Sequence, residues 1–375
     1  MKIKFLDGIR GIAAFCVMMG HARALLWEGY QNYLAHPETY STWTKAMMYF
    51  FSFFRFGHEF VLLFFVLSGF VIHLSYANKF IENKDSPIKA GKFYIRRIKR
   101  IYPPFIIAML LTALLDNLGR YYKLPIYTGH TNYLILTNTV PLNKTSFSTF
   151  LGNLFFLYPQ YVPMFGTNGP SWSLKLEWWF YIFYPLFLLF SRKHIFYSTG
   201  AVAILFMLSV SGCIPEALLT DIFGGMLSWW LGVLMAEVVT GRIKIALPYF
   251  AACSFVLFLI CIKASHPAVQ DLRTAAFFTA ILSLLIWYTN KGRSLYAIEL
   301  LKPIGDFSYT LYIVHFPILV FISGWVLKQN NGMLPSDFTF LLVGVLIATT
   351  VAYILHFITE IPFIGKKRTM VQHNM

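Results

Sequence analysis

Apolar runs of about 18 residues or more recur from one end of the chain to the other, and that recurrence confines the fold more than any motif does. Inside a bilayer every backbone N–H and C=O must be satisfied within the protein, so helices are the default spanning form. Ten spans are predicted, at 8–27, 57–77, 103–118, 172–190, 195–212, 221–240, 246–263, 272–289, 304–327 and 338–360. Most approach the ~20 residues that cross ~30 Å of hydrocarbon, whereas the third is short for a full crossing. Composition agrees, since only 13% of the 375 residues are charged, against roughly 25% in a soluble domain. The expected fold class is all-α, a polytopic integral membrane helix bundle of about ten transmembrane helices.

The loops test that count. Bases crowd the loops on one side: Lys2 and Lys4, then Lys79, Lys84, Lys89, Lys92, Arg96, Arg97, Lys99 and Arg100. The same side continues with Arg192, Lys193, Arg242, Lys244, Lys291, Arg293 and Lys302, and ends on Lys366, Lys367 and Arg368. The opposite loops hold scattered bases such as Arg23, Lys45, Arg120, Lys144, Lys263 and Lys328. This alternation follows the positive-inside rule and places both termini in the cytoplasm. It also accounts for the net charge of +15 without nucleic acid as a partner. Residues 1–365 are read as one membrane domain, and 366–375 as a short basic cytoplasmic tail.

The first span is not read as a cleaved signal peptide, because it holds Arg10 and His21 and no small-residue cleavage site follows. The longest outward stretch, 119–171, is polar and turn-rich except for an apolar patch at 151–161, expected as a re-entrant or interfacial helix. Asn143-Lys144-Thr145 has the form of a glycosylation acceptor, a motif short enough to arise by chance. Cys16, Cys213, Cys253 and Cys261 lie in or beside apolar runs and are expected as buried small hydrophobes. No metal-ligand pattern appears: His356 and Glu360 share a helix face but stand alone.

A charge within a bilayer costs ~2.5–3.5 kcal/mol on insertion scales, so ionisable residues inside spans need a reason. Arg10 and His21 are eleven residues apart, about 20° beyond three helical turns, and Asp7 lies about 40° to the other side of His21. All three fall on one stripe. His21 could take a proton from a sugar hydroxyl, or attack a thioester and carry the acyl group; its plain alternative is a core hydrogen bond. Arg10 could fix an anion or snorkel to the interface. Ser68, inside Phe64-Phe65-Val66-Leu67-Ser68-Gly69-Phe70, reads as helix packing through small residues.

Arg97 and Arg100, at i and i+3, share a face beside Arg96. Guanidiniums grip phosphates in bidentate fashion, so coenzyme A and anionic lipid headgroups are both fitting partners. Ser173 and Glu177 face the same way on the fourth span, where the carboxylate could bind sugar hydroxyls or polarise a catalytic histidine. Trp172, Trp178 and Trp179 read as interface anchors, with platforms for a sugar as the alternative. Ser308, Tyr312 and His315 form a polar stripe on the ninth span, with a kink at Pro317. Glu237 and Glu360 fall near cytoplasmic helix ends and read as structural.

Taken in order, these motifs resemble the acyltransferase 3 family of multispanning membrane acyltransferases. The resemblance runs through Leu6-Asp7-Gly8-Ile9-Arg10-Gly11 with His21, the 64–70 segment, and Arg96-Arg97-x-x-Arg100-x-x-Pro103. It continues in Trp172-Ser173-Leu174-x-x-Glu177, in Ser308-Tyr309-x-x-Tyr312-x-x-His315-x-Pro317, and in Glu360-x-Pro362. It implies an acyltransferase in the bacterial inner membrane with Arg10 and His21 as the essential pair, joined here by Glu177. Arg96, Arg97 and Arg100 would contact the donor, with Asp7, Ser68, Ser173, Tyr312 and His315 in support. The co-substrate would be acyl-CoA, with no tightly bound cofactor or metal, and the acceptor a surface glycan such as O-antigen or exopolysaccharide. Many relatives carry an esterase-like domain after the last helix. This chain is expected to complete transfer alone or hand the acyl group to a separate protein. The rival readings are a transporter or flippase of lipid-linked sugars and a non-catalytic membrane subunit.

Overall fold

The computed structural model describes residues 3–28, 30–83, 87–131, 145–191 and 194–363. Lys2, Lys84, Lys144, the Asn143 motif, Arg192, Lys193 and the 366–375 tail lie outside the described residues. Each of the ten predicted segments holds a helix: α1 Phe5–Leu26, α2 Gly57–Glu82, α3 Ala90–Tyr121, α4 Ser171–Ser191, α5 Ile195–Val210, α6 Ala217–Val239, α7 Leu247–Ile260, α8 Pro267–Asn290, α9 Ser308–Gln329 and α10 Thr339–Thr359. Among the described residues, seven helices are long and apolar enough to cross a membrane, namely α1, α3, α6, α8, α9, α10, and α2 joined to the helix preceding it. The α5 and α7 helices are shorter, and α4 carries Lys175 and Glu177.

Close backbone crossings set the centre of the bundle. A Cβ on Gly69 would lie 2.2 Å from the Trp229 carbonyl oxygen, and one on Gly232 would lie 2.0 Å from that of Val66. The Ser68-Gly69 step thus packs α2 on α6, as small residues do between membrane helices. A Cβ on Gly8 would meet the Ile298 carbonyl oxygen at 1.9 Å, so the first motif is partly a docking surface for the segment leading into α9. The Gly232→Leu variant is expected to lose folded protein through overpacking of about 1–3 kcal/mol or more, read as a collapse of the monodisperse fraction after detergent extraction. An unchanged yield would contradict this crossing.

Three sequence expectations need correction. The third span is not short: α3 has 32 residues and runs through Pro103 and Pro104. The two prolines remove hydrogen bonds to the carbonyls of Lys99 and Arg100, at the more exposed, basic end where water can replace them. Solvent relief, expected for Glu237 and Glu360 from their places near helix ends, is absent: they are 1% and 3% exposed. Glu237 Oε1 lies 2.5 Å from His73 Nε2 and 3.0 Å from Arg242 Nη1. Glu360 accepts from the Thr310 amide at 3.1 Å and lies 3.2 Å from His356, on the shared helix face. Cys16 and Cys261 are buried, whereas Cys213, just after α5, and Cys253, on α7, are exposed; an apolar helix in lipid need not turn every residue to the protein interior. In the 151–161 patch, helix Phe147–Leu154 is followed by Phe156 and Tyr158, both fully buried.

Candidate active site

Two stripes meet where α1 packs on α9, in the order the sequence sets. Near the start of both helices, Arg10 Nη1 lies 3.5 Å from Asp7 Oδ1 and its Nη2 lies 3.3 Å from Ser308 Oγ. Further along both helices, His21 Nδ1 and His315 Nε2 lie 2.8 Å apart. His21 also sets its ring edge-on to Phe316, with centroids 4.9 Å apart. His315 is fully buried, and its Nδ1 is 3.0 Å from the Leu311 carbonyl oxygen.

That chain of contacts fixes the protons. A carbonyl can only accept, so His315 Nδ1 carries the hydrogen and donates it. The neutral ring then accepts at Nε2, and the donor facing it is His21 Nδ1–H. His21 Nε2 is left with a free lone pair, the form that a base or nucleophile needs.

Pro317 shapes the same turn of α9. It has no N–H for the Ile313 carbonyl four residues back, and Asn168 Nδ2 supplies the missing donor at 2.9 Å. The loop bearing Asn168 is anchored in turn by buried Asp116, which accepts from the Thr167 amide at 2.9 Å and its hydroxyl at 2.7 Å.

A cavity of about 280 Å³ opens among α1, α2, α3, α4 and α9. Its polar wall contains Asp7, Arg10, Ser68, Arg97, Arg100, Ser173, Glu177 and Tyr312, eight residues singled out from sequence on five helices. Arg97 lies over the rings of Phe93 and Tyr181, and its buried Nε has no hydrogen-bond partner among the described residues. Tyr181, which no motif marked, donates to Glu177 and lies 2.8 Å from Ser68 Oγ. Ser68 is therefore part of a polar wall as well as of a packing seam. Tyr312 Oη bonds Ser173 Oγ at 2.7 Å and the Pro170 carbonyl at 3.0 Å.

The structure separates some residues that the sequence grouped. Arg96 is exposed and outside the cavity lining. His21 and His315 are outside it too: along α9, Tyr312 lies between Ser308 and His315. Glu177 therefore does not polarise His21; the residue bonded to that imidazole is His315. Helical phase aligned Arg10 with His21, yet eleven residues of rise put roughly 16 Å between them. The tryptophans are packing groups as much as anchors. Trp172 stacks on His58 at 5.3 Å, and Trp179 Nε1 donates to the Phe156 carbonyl at 3.1 Å. Asn168 bonds a partner remote in sequence, although Asn168-Gly169-Pro170 ahead of α4 is a turn signal. Tyr181 lies four residues past Glu177 on one face of α4, a spacing that could have marked it.

Residues 3–357 match the family profile described as "Acyltransferase domain". One relative, described as peptidoglycan O-acetyltransferase OatA of Listeria monocytogenes, is 26% identical over 84% of this chain and 49% of its own length. An uncharacterized protein of Haemophilus influenzae is 32% identical over 35% of this chain and 49% of its own. Protein 2 in picA locus of Rhizobium radiobacter is 32% identical over 29% and 42%, respectively. The chain thus spans about half the length, or less, of the curated relatives it matches. No solved structure matches.

Proposed function

The chain belongs to the acyltransferase 3 family, and on that premise we propose that it moves an acyl group from acyl-CoA to a sugar hydroxyl across the bacterial inner membrane. The acyl group is acetyl in the first instance. The acceptor is a surface polysaccharide or glycolipid, the class to which the Listeria relative's described substrate, peptidoglycan, is chemically closest. Ten crossings with both termini inside follow from the charge alternation. That orientation puts Arg97 and Arg100 at the cytoplasmic side, where coenzyme A is found.

The observation that carries this reading is the hydrogen-bond chain from the Leu311 carbonyl through His315 to His21, one helical turn beyond Tyr312 in an arginine-lined cavity. In the direct route, His21 Nε2 takes the proton of the acceptor hydroxyl as its oxygen attacks the thioester carbonyl. The C–O bond forms, the C–S bond breaks, and the imidazolium returns the proton to the departing thiolate. The products are an ester and free coenzyme A. In the covalent route, His21 Nε2 attacks the thioester carbonyl, the C–S bond breaks and the thiolate of coenzyme A departs. The acceptor hydroxyl then attacks the acyl-imidazolium, the C–N bond breaks, and the hydroxyl proton ends on the thiolate, leaving neutral His21. Either route needs the Tyr312–Ser173 contact to open, because it stands between the donor cavity and the histidine pair.

Comparing the mass of surface polysaccharide from cells with and without the gene tests the proposal. A gain of one acyl group per repeat unit is expected only with the gene. Identical masses, with no thioester cleavage by the purified protein, would end it.

A further inference from the structure

His58, Asp271 and Trp172 form a second polar cluster, at the same end of the bundle as His21. A Cβ on Gly20 would lie 2.5 Å from the Phe54 carbonyl oxygen and 3.9 Å from Gly57 Cα, so the residue before His21 packs on the residue before His58. On the other flank, a Cβ on Gly169 would lie 3.7 Å from the Phe316 ring, which itself touches His21. Trp172 follows three residues later and stacks on His58 with an interplanar angle of 14°.

His58 Nε2 is 2.7 Å from Asp271 Oδ1, yet the side chain remains 54% exposed. Its Nδ1 has no partner among the described residues. A carboxylate, an imidazole nitrogen and an indole together suit a polyhydroxyl ligand: hydroxyls bond to the first two, and the apolar part of a sugar packs against the third. The neighbouring residues in sequence, Glu59 and Arg273, line a separate groove of about 440 Å³. Six phenylalanines line it, among them Phe60, Phe277 and Phe278, and Phe53 and Phe277 are exposed. Arg273 brings a guanidinium to that groove, with Nη1 donating to the Ile262 carbonyl at 3.2 Å.

We propose that the acceptor is a sugar carried on a hydrocarbon tail, docked where α2 meets α8, with its sugar against His58, Asp271 and Trp172 and its tail in the phenylalanine groove. A free glycan has no use for the groove, and a simple phospholipid has no use for the imidazole–indole platform. An amphiphile uses both, and Glu59 and Arg273, one residue from His58 and two from Asp271, line the groove and suit hydroxyls and a phosphate between sugar and tail.

This inference rests on the acyltransferase reading, and the test separates the two. The full chain in lipid nanodiscs is given radiolabelled acetyl-CoA and the glycan-bearing membrane extract of its own source cells. Half of the extract is first freed of lipid tails by mild acid. Label is expected in the intact acceptor at ten times or more its level in the tail-free half. Equal labelling of both halves overturns the inference and leaves the acyltransferase reading standing. No label in either half sinks that reading, and the inference falls with it. A groove-filling Thr274→Trp variant, checked for monodispersity, is expected to lose about tenfold in transfer to intact acceptor while binding acetyl-CoA as before. Unchanged transfer would also overturn the groove assignment.

Discussion

The His21→Ala variant is expected to lose acyl transfer by about 10²–10⁴-fold, the range that a positioned general base contributes, while still inserting into the membrane. The loss follows from the free Nε2, which alanine cannot replace. Extraction yield and monodispersity should match the parent protein, since the His21 side chain is only partly buried. Normal acylation by that variant would remove His21 from the chemistry. His315→Leu supplies the companion measurement. It deletes the acceptor that fixes the His21 tautomer, so turnover should fall while the Michaelis constant for the donor holds. Restoring an acceptor with His315→Gln should recover part of the turnover. Labelled acetyl-CoA then distinguishes the two routes, because label retained on the protein and released by hydroxylamine marks the covalent one.

Replacing Arg97 and Arg100 together by glutamine is expected to weaken donor binding by about 10²–10⁴-fold, taking about 1.5–3 kcal/mol for each charged hydrogen bond lost. Both guanidiniums line the cavity, and the unpartnered Nε of Arg97 is a donor waiting for an acceptor. The effect should appear in the Michaelis constant for acyl-CoA and grow weaker for a truncated donor lacking the nucleotide phosphates. Arg96→Gln serves as the control: Arg96 is exposed and outside the cavity, so its loss should leave donor affinity nearly unchanged. Equal effects of all three substitutions would show that net charge at this surface, rather than the cavity, draws in the donor.

Much of the candidate site was legible because ionisable residues in a membrane protein stand out against apolar surroundings. Asp7, Arg10, Arg97, Arg100 and Glu177 are costly in lipid, and each lines one cavity in the folded chain. The α9 stripe was legible too: Ser308 reaches Arg10, and His315 reaches His21. The buried His73–Glu237–Arg242 cluster was not, since its members are 5 to 169 residues apart and no local pattern joins them.

Sequence by itself determined the helices, their order and the face each polar residue occupies, because apolar length and a 3.6-residue period are properties of a single segment. Only the tertiary structure decided which faces meet and at what depth. It gave His21 to His315, put Glu177 beside the arginines, and set Tyr312 between the two groups. Those choices depend on where glycines let two backbones cross, as at Gly69 with Trp229 and Gly8 with Ile298, and a crossing is a property of two segments at once.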